Sequence, residues 1–244
     1  MTDNEALSAK ALSLISHKLR TPLSIINGYS EAVLSQAEKE NFSPFTTKAL
    51  EEINKQGSRM SSLVDKLMEF NQVITADAQH IQKQSLPLKE LIKECASKVI
   101  AQDEGPLPTQ QGKGVKRGTF VEIDCSIQLT LQANENMLRL AVCELLENAI
   151  KFNNKMEKII KVQVAHHGDS ISISVRDYGV GIRPQDVGQI FEPFYQVDDY
   201  FTGQVSGWGL GLPMVQRIAS LHHGSVSVVS DRGLGSIFTL SFPL

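Results

Sequence analysis

The chain has 244 residues, of which 41% are apolar, and a formal net charge of −3, so it is long enough for one large domain or two small ones. This charge gives no reason to expect nucleic acid or an anionic membrane as a partner. No apolar run approaches the ~20 residues that cross a bilayer, and acids stand in the opening MTDNEALSAKA where a signal peptide would carry cations. We therefore expect a cytoplasmic segment without membrane insertion, which leaves open a membrane-anchored parent protein.

The first part of the chain, from residue 4 to about 82, is expected to be helical. Apolar residues recur there every three or four positions in two successive seams, as in a coiled coil. Between the seams, Ser43 and Pro44 fit an N-cap and a first-turn proline, so we expect a helical hairpin. A lone hairpin would leave much apolar surface wet, which favours a homodimeric four-helix bundle over a hairpin docked on the second half. The seams are Leu12, Ile15, Leu19, Pro22, Ile26, Tyr29 and Val33, then Ala49, Ile53, Gln56, Met60, Leu63, Leu67, Phe70 and Ile74, with Gln56 as the one polar member of the second seam.

The rest of the chain shows mixed helix and strand patterns. It begins with an expected strand, turn and helix, followed by a Pro- and Gly-rich loop at 103–118. The strands and helices that follow predict an α+β fold with the helices on one face of a sheet. We therefore divide the chain into a helical hairpin at 1–82 and a sheet-based domain at 83–244. The predicted strands are 121–133, 159–168, 170–179, 224–233 and 235–244, and the predicted helices are 134–153 and 209–223.

Cysteines and paired histidines are the residues that would suggest a disulfide or a metal site. The three cysteines stand far apart without a CxxC pair, which fits inert core thiols in a reducing compartment. The pairs His166–His167 and His222–His223 lie at the ends of predicted elements and lack a third ligand at a useful spacing. We interpret both pairs as surface residues.

One stretch of the second half, ELLENAIKF at 144–152, places charged and polar side chains on one face of a predicted helix. Glu144, Asn148 and Lys151 recur at i, i+4 and i+7 and so share one side of the predicted helix. An acid, an amide oxygen and a cation suit a hydrated Mg²⁺ ion and phosphate oxygens, because Mg²⁺ prefers oxygen ligands. Taken alone, this pattern is better explained as a solvated helix face.

Three further stretches carry weak signals of a nucleotide pocket. In RDYGVGI, Asp177 ends a predicted strand and offers a carboxylate for an adenine amino group, while Gly179 and Gly181 allow backbone to approach a ring. In GWGLGLPMVQRI, at 207–218, glycines lead into an amphipathic helix, whose free N–H groups favour phosphate. The aromatics of IFEPFYQ, at 190–196, fit core equally well. The four signals are informative because they occur together and in this order.

These stretches resemble the motifs of sensor histidine kinases of two-component signalling. SHKLRTPL at 16–23 resembles the H box, ELLENAIKF the N box, RDYGVGI and GWGLGL the two glycine boxes, and IFEPFYQ the F box. The resemblance covers nearly all of the chain. It implies a dimerisation and phosphotransfer hairpin, followed by an ATP-binding sandwich of the gyrase, chaperone and histidine-kinase type. The implied partner is the receiver domain of a cognate response regulator, and the implied cofactors are ATP and Mg²⁺.

The resemblance also assigns roles to individual residues. Asn148 would hold Mg²⁺, Lys151 would contact phosphate, Phe152 would lie against the nucleotide and Asp177 would read adenine. His17 would accept the phosphoryl group before its transfer to an aspartate of the regulator. The glycine boxes would shape the pocket and its lid with Gly179, Gly181, Gly207, Gly209, Leu210 and Gly211.

The periodicity of the first helix suits His17 for this role. It lies two residues after the seam residue Ile15, about 200° around the helix, and is expected to face outward. An exposed imidazole, with a pKa of about 6.5, is mostly neutral at pH 7 and is a ready nucleophile. Thr21 lies one turn later on the same face, where family members use a polar residue to position water for phosphatase activity. Pro22 is expected to bend the helix just past this site.

Three residues depart from the common family pattern and leave two alternatives open. Lys18 replaces the usual acid after the histidine, so we expect electrostatic help in place of a base. Glu144 stands where many histidine kinases have Asn, and related ATPases use an acid there to activate water, which allows an ATPase or ATP-driven clamp. Trp208 stands among the small residues of the second glycine box. This unusual residue allows a second alternative, in which the chain is a weak kinase or a pseudokinase scaffold.

Overall fold

The structure, a computed structural model, describes residues 3–35, 42–103, 118–125, 129–197 and 207–244. The chain divides into two compact units between Thr75 and Ala76, a few residues before the boundary expected at residue 82. The first unit is helical and the second combines helices with β-sheet, so the predicted α+β class is confirmed. The expected loop at 104–117 lies outside the described residues. No described helix combines the length and apolar character needed to span a membrane.

The first unit is the predicted helical hairpin. Helix α1 spans Asp3–Leu34 and continues through Pro22, and helix α2 spans Pro44–Thr75. Ser43 caps α2 as expected, since its Oγ accepts a hydrogen bond from the Thr46 amide at 3.1 Å. Proline at the first helical position loses nothing, because that N–H has no partner inside the helix.

The two helices pack against each other through apolar and polar residues. Leu23, Val64 and Phe70 are buried. Arg20 of α1 donates to Asp65 of α2 at 2.5 Å, and both side chains are partly exposed. Several predicted seam residues stay exposed within this single chain: Tyr29 is 72% exposed, and Ile53 and Met60 are each 48% exposed. This apolar surface is what a second copy would cover, and the four-helix bundle stays a prediction.

The described part of the second unit contains two sheets and three α-helices. Strand β1 (Gln84–Pro87) pairs antiparallel with β3 (Thr130–Ala133), and a five-stranded sheet has the order β2-β4-β5-β7-β6. Only the β2–β4 pair of the larger sheet is parallel. The remaining strands are β2 (Gly118–Asp124), β4 (Glu157–His167), β5 (Ser170–Arg176), β6 (Ser225–Asp231) and β7 (Gly235–Pro243), and the helices are α3 (Leu88–Asp103), α4 (Glu135–Lys151) and α5 (Gly211–Leu221).

The hydrophobic core lies between the larger sheet and the helices. Alternate residues of β4, namely Ile160, Val162 and Val164, are buried, whereas their neighbours Lys161 and Gln163 face outward. On the outer face Lys161 pairs with Glu122 of β2 at 3.1 Å. This alternation confirms a sheet with helices on one face only.

Two sequence-based expectations were wrong. The run at 121–133 is not one strand, because its first part belongs to β2 in the larger sheet and its last part, β3, pairs Leu131 with Leu86 of β1. Alternating residues look the same in both sheets, so periodicity does not reveal the change of partner. His222 is buried, not on the surface: its Nε2 accepts from the Asn134 amide at 2.9 Å, and its Nδ1 donates to the Ile218 carbonyl at 2.8 Å.

Candidate nucleotide site

Helix α4 carries the acid, amide and cation that the sequence places on one face. The helix begins at an Asn134 cap, whose Oδ1 accepts from the Met137 amide at 3.1 Å, and ends at Lys151. A cation in the last turn is favoured by the helix dipole. Glu144 is only 6% exposed, so this face is not the solvated surface that the pattern alone would allow.

The second glycine box lies directly against this face of α4. A Cβ added at Gly207 would overlap Lys151 Nζ, and one added at Gly211 would overlap a carboxylate oxygen of Glu144. Helix α5 begins at Gly211, so the Glu144 carboxylate lies beside its N-terminus. Tertiary structure thus brings together two segments that are about sixty residues apart in the sequence, and these two glycines leave room for charged side chains.

Lys151 is largely withdrawn from water at this place. Burial lowers the pKa of its ammonium group, and the negative charges of Glu144 and Glu147 oppose that shift. Its Nζ lies 4.7 Å from the centre of the Phe152 ring, within cation–π distance. A cation with little water around it interacts more strongly with an incoming phosphate than an exposed lysine would.

Asp177 lies just past the end of β5 and is 5% exposed. Its Oδ1 accepts a hydrogen bond from the Gly179 amide at 2.8 Å, and its own amide donates to the Ser236 carbonyl at 2.9 Å. Burial raises the pKa of the carboxyl group, while backbone hydrogen bonds from Gly179 and Ser236 oppose the shift. A buried carboxylate of this kind is suited to accept a hydrogen bond from an amino group on a ring.

The glycines of the first glycine box are needed for contacts with protein backbone. A Cβ at Gly179 would overlap the Phe152 carbonyl, and one at Gly181 would overlap the Asp231 carbonyl. Gly181 also has a φ of 66°, which disfavours other residues. The segment passes between these two parts of the chain, with the Val180 amide donating to the Phe152 carbonyl at 3.1 Å. Glycine is therefore required here even before any ligand is considered.

The F-box segment supports the second glycine box. The Phe194 amide donates to the Gly209 carbonyl at 2.8 Å, and Gln196 Nε2 donates to the Gly207 carbonyl at 2.9 Å. Ile190 is core, whereas Phe194 is 57% exposed with a φ of 67°. The F-box segment is thus buried at Ile190 and exposed at Phe194.

A polar cluster that the sequence did not reveal fixes this segment. Arg183 Nε donates to Asp186 Oδ2 at 2.6 Å, and the Tyr195 hydroxyl donates to Asp186 Oδ1 at 2.9 Å. The guanidinium of Arg183 is the main reason that the pKa of Asp186 is lowered. The only available signal was the Arg183–Asp186 spacing in a Pro-containing turn, which is common in loops that have no site.

The predicted catalytic residues that belong to the hairpin are less completely described by the structure. His17 lies within α1, but its side chain is outside the described residues, so its outward orientation stays a prediction. Lys18 and Thr21 have exposed side chains. Most of the predicted lid, residues 198–206, is also outside the described part of the chain.

The donor groups of the α4 face suit a nucleotide phosphate with a hard cation. The Asn148 side-chain amide makes no hydrogen bond with any described residue, so its oxygen is available as a ligand. No group of three or more His, Cys, Asp or Glu in the described part of the chain could hold a metal by protein ligands alone.

Comparisons with known proteins match both units. Residues 8–75 match the family model of the His Kinase A (phospho-acceptor) domain, and residues 133–244 match that of the histidine kinase-, DNA gyrase B- and HSP90-like ATPase. The chain is 30% identical over 233 residues to the sensor histidine kinase RcsC of Salmonella typhimurium, covering 96% of this chain and 23% of that protein. It is 26% identical over 240 residues to the non-motile and phage-resistance protein of Caulobacter vibrioides, covering 96% of this chain and 27% of that one.

A solved structure gives the same result for the fold. The crystal structure of full-length ShkA in complex with AMPPNP matches with a TM-score of 0.73 and 24% identity, covering 96% of this chain and 45% of that one. The two domains, in this order, define a protein histidine kinase. The chain belongs to the sensor histidine kinases of two-component signalling, and it spans about a quarter of the length of the first two relatives.

Proposed function

We propose that this chain uses Mg·ATP to phosphorylate His17 and then passes the phosphoryl group to an aspartate of a response-regulator receiver domain. The observation that carries the proposal is the contact of Lys151 and Glu144 with the second glycine box, because it assembles a phosphate site from two distant segments. The membership of the family supports the hairpin as the acceptor and the sheet-based unit as the ATP-binding domain.

Each part of the site has a separate task in this proposal. Asp177 accepts the exocyclic amino group of adenine, and Phe152 lies against the nucleotide. Asn148 supplies an oxygen to Mg²⁺, which would offset negative charge on the phosphates, and Lys151 binds a phosphate oxygen. Gly179, Gly181, Gly207, Gly209, Leu210 and Gly211 form the backbone of the pocket.

His17 is the nucleophile in this proposal. A neutral imidazole nitrogen attacks the terminal phosphorus in line with the departing ADP oxygen, and the ring proton then goes to solvent or a nearby base. Lys18, which is exposed beside it, disfavours the imidazolium form and attracts the terminal phosphate. Thr21, also exposed, is placed one turn further to orient water for dephosphorylation of the regulator.

The test is incubation with γ-labelled ATP and Mg²⁺. The wild-type protein is expected to become labelled with acid-labile, base-stable phosphate, and His17→Gln is expected to lose the label. His167→Gln is the matched control, because His167 is an exposed histidine at the end of β4, and this variant should label normally. Equal labelling of His17→Gln and wild type would show that another residue accepts the phosphate.

The role of Lys18 has its own test. Replacement by Glu restores an acid after the histidine, so we expect the labelling rate at saturating ATP to change and its pH profile to shift, since a carboxylate favours imidazolium where an ammonium disfavours it. Initial rates between pH 6 and 9 measure both effects. An unchanged rate and profile in Lys18→Glu would mean that Lys18 takes no part in the step.

A second candidate, ATP hydrolysis, is favoured by one observation. The Glu144 carboxylate is buried beside the N-terminus of α5, close to the proposed phosphate site, where it could activate water. Release of free phosphate without labelled protein, abolished in Glu144→Gln, would support this alternative. Accumulation of label on His17 would support the kinase.

A further inference from the structure

The first residues of the second unit, which directly follow the hairpin, are held in a defined conformation. Asp77 Oδ1 accepts from the Gln79 amide at 3.0 Å and caps a single 3₁₀ turn at Ala78–His80. Asp77 Oδ2 lies 3.0 Å from His80 Nδ1. We call residues 76–82 the connecting segment.

Two helices of the second unit hold the connecting segment at its two ends. Arg217 of α5 donates from Nη2 to the Ala76 carbonyl at 2.8 Å, and Asn134, the cap of α4, donates from Nδ2 to the Gln82 carbonyl at 3.1 Å. Arg217 Nε is also buried, although the residue as a whole is only half-buried. The charge of Arg217 contributes to the lowered pKa of Asp77, after the larger effects of the Gln79 amide and His80.

Helices α4 and α5 run antiparallel, with the nucleotide site at one end and the connecting segment at the other. Glu144 lies against Gly211 at the start of α5, and the Asn134 amide at the start of α4 donates to His222 just past the end of α5. Arg217 follows Gly211 by six residues, a rise of about 9 Å along the helix. Helix α5 buries Pro213, Met214, Val215, Ile218, Ala219 and Leu221, so it is expected to move as a rigid rod.

We propose that Arg217 is a positioning residue that couples the nucleotide site to the connecting segment through α5. This inference rests on the proposed function, because it takes the N-terminus of α5 as part of the ATP site. In this proposal, nucleotide binding beside the second glycine box shifts α5, and the shift is carried to Ala76, the residue that directly follows the hairpin. Arg217 thereby helps to place the hairpin for phosphorylation without contacting ATP itself.

The test compares Arg217→Met, which removes the donor, with Arg217→Lys, which keeps a charge and one donor. In wild type, Mg·ADP is expected to slow hydrogen exchange of the Gln79 and His80 amides. In Arg217→Met this exchange should be faster and no longer respond to nucleotide, and Arg217→Lys should recover part of the response. Lys158→Met, which breaks an ion pair with Asp103 at 2.9 Å elsewhere in the same unit, is the control and should behave as wild type.

Kinetics separate a positioning role from a binding role. We expect Arg217→Met to lower the autophosphorylation rate at saturating ATP about tenfold while changing the Kd for Mg·ADP less than about twofold. Asp77→Ala removes the cap from an exposed position and should lower the rate in the same direction, so the test does not depend on one variant folding.

Two results would overturn the inference: exchange in wild type that ignores Mg·ADP, or exchange and rates in Arg217→Met that equal those of wild type. A failure of the proposed function looks different. In that case no variant would be labelled by ATP, whereas the exchange of Gln79 and His80 would still depend on Arg217.

Discussion

At the residue scale, Asp177 combines opposing contributions to stability and binding. Burial raises its carboxyl pKa, which means that the charged form is less favourable in the folded than in the unfolded chain. The free energy of unfolding therefore falls as pH rises from the ordinary value of 3.8 through the raised value, and this loss persists at neutral pH. A carboxylate at a position where its charged form destabilises the folded chain is a candidate ligand-binding group.

This argument predicts a trade-off in Asp177→Asn. The amide oxygen can still accept from the Gly179 amide, so we expect a higher melting temperature at pH 7 than wild type and a smaller difference near pH 4. Because the amide replaces the acceptor of the adenine amino group, we expect nucleotide affinity to fall about tenfold or more. Thermal melts and titration of Mg·ADP against Trp208 fluorescence measure the two effects. Tight nucleotide binding by Asp177→Asn would contradict the adenine assignment.

A second residue-scale prediction concerns His223. It follows the end of α5 with a φ of 59°, a left-handed conformation that favours glycine, and the next amide, that of Gly224, closes the cap on the Ala219 carbonyl at 2.8 Å. His223→Gly should therefore stabilise the protein by about 1 kcal/mol. His167→Gly, in the extended conformation of a strand end, should be neutral or destabilising. Chemical denaturation compares the two, and equal effects would show that backbone conformation at 223 carries no strain.

At the element scale, two helix glycines that look alike in sequence are expected to respond oppositely to substitution. A Cβ at Gly28 in α1 would meet no described atom within 4 Å, whereas one at Gly57 in α2 would overlap Asn27 Oδ1. Asn27 also donates a hydrogen bond from Nδ2 to Ser61 Oγ at 3.2 Å. A Cβ at Gly57 would displace the Asn27 side chain and break this hydrogen bond.

Gly28→Ala should accordingly stabilise the hairpin by about 1 kcal/mol, the usual gain in helix propensity. Gly57→Ala should gain nothing or destabilise, because the lost hydrogen bond is worth about 1 kcal/mol. The helicity and melting temperature of both variants provide the measurement. Equal stabilisation by the two substitutions would mean that the Asn27 contact does not constrain α2.

Among the elements, long periodic helices and alternating strands were predictable and the pairing of short strands was not. The two hairpin helices, β4, β5, β6 and β7 are confirmed because each has a strong period over many residues. The prediction of a single strand at 121–133 was wrong because β3 pairs with β1, which lies more than forty residues earlier in the sequence. Local alternation of residues contains no information about such a distant partner.

At the scale of the whole molecule, the exposed seam of the hairpin predicts self-association. Tyr29, Ile53 and Met60 leave apolar surface exposed that two copies can bury together. Sedimentation should give twice the chain mass for wild type, and Ile53→Lys should shift it toward a single chain by placing a charge in the interface. Lys55→Ala, two residues away and off the seam, should remain associated. A monomeric wild type at micromolar concentration would contradict the four-helix bundle.

The amino-acid sequence by itself determined the class of fold and the order of the two units, and it supplied the candidate residues of a nucleotide site. It did so because helix faces and strand alternation are local, and because Glu144, Asn148 and Lys151 are neighbours on one helix. Only the tertiary structure decided why the glycines must be glycines, since Gly207 and Gly211 meet side chains of α4 that are distant in sequence. It likewise buried His222 and joined Arg217 to Ala76, contacts that depend on how helices pack and that no local pattern encodes.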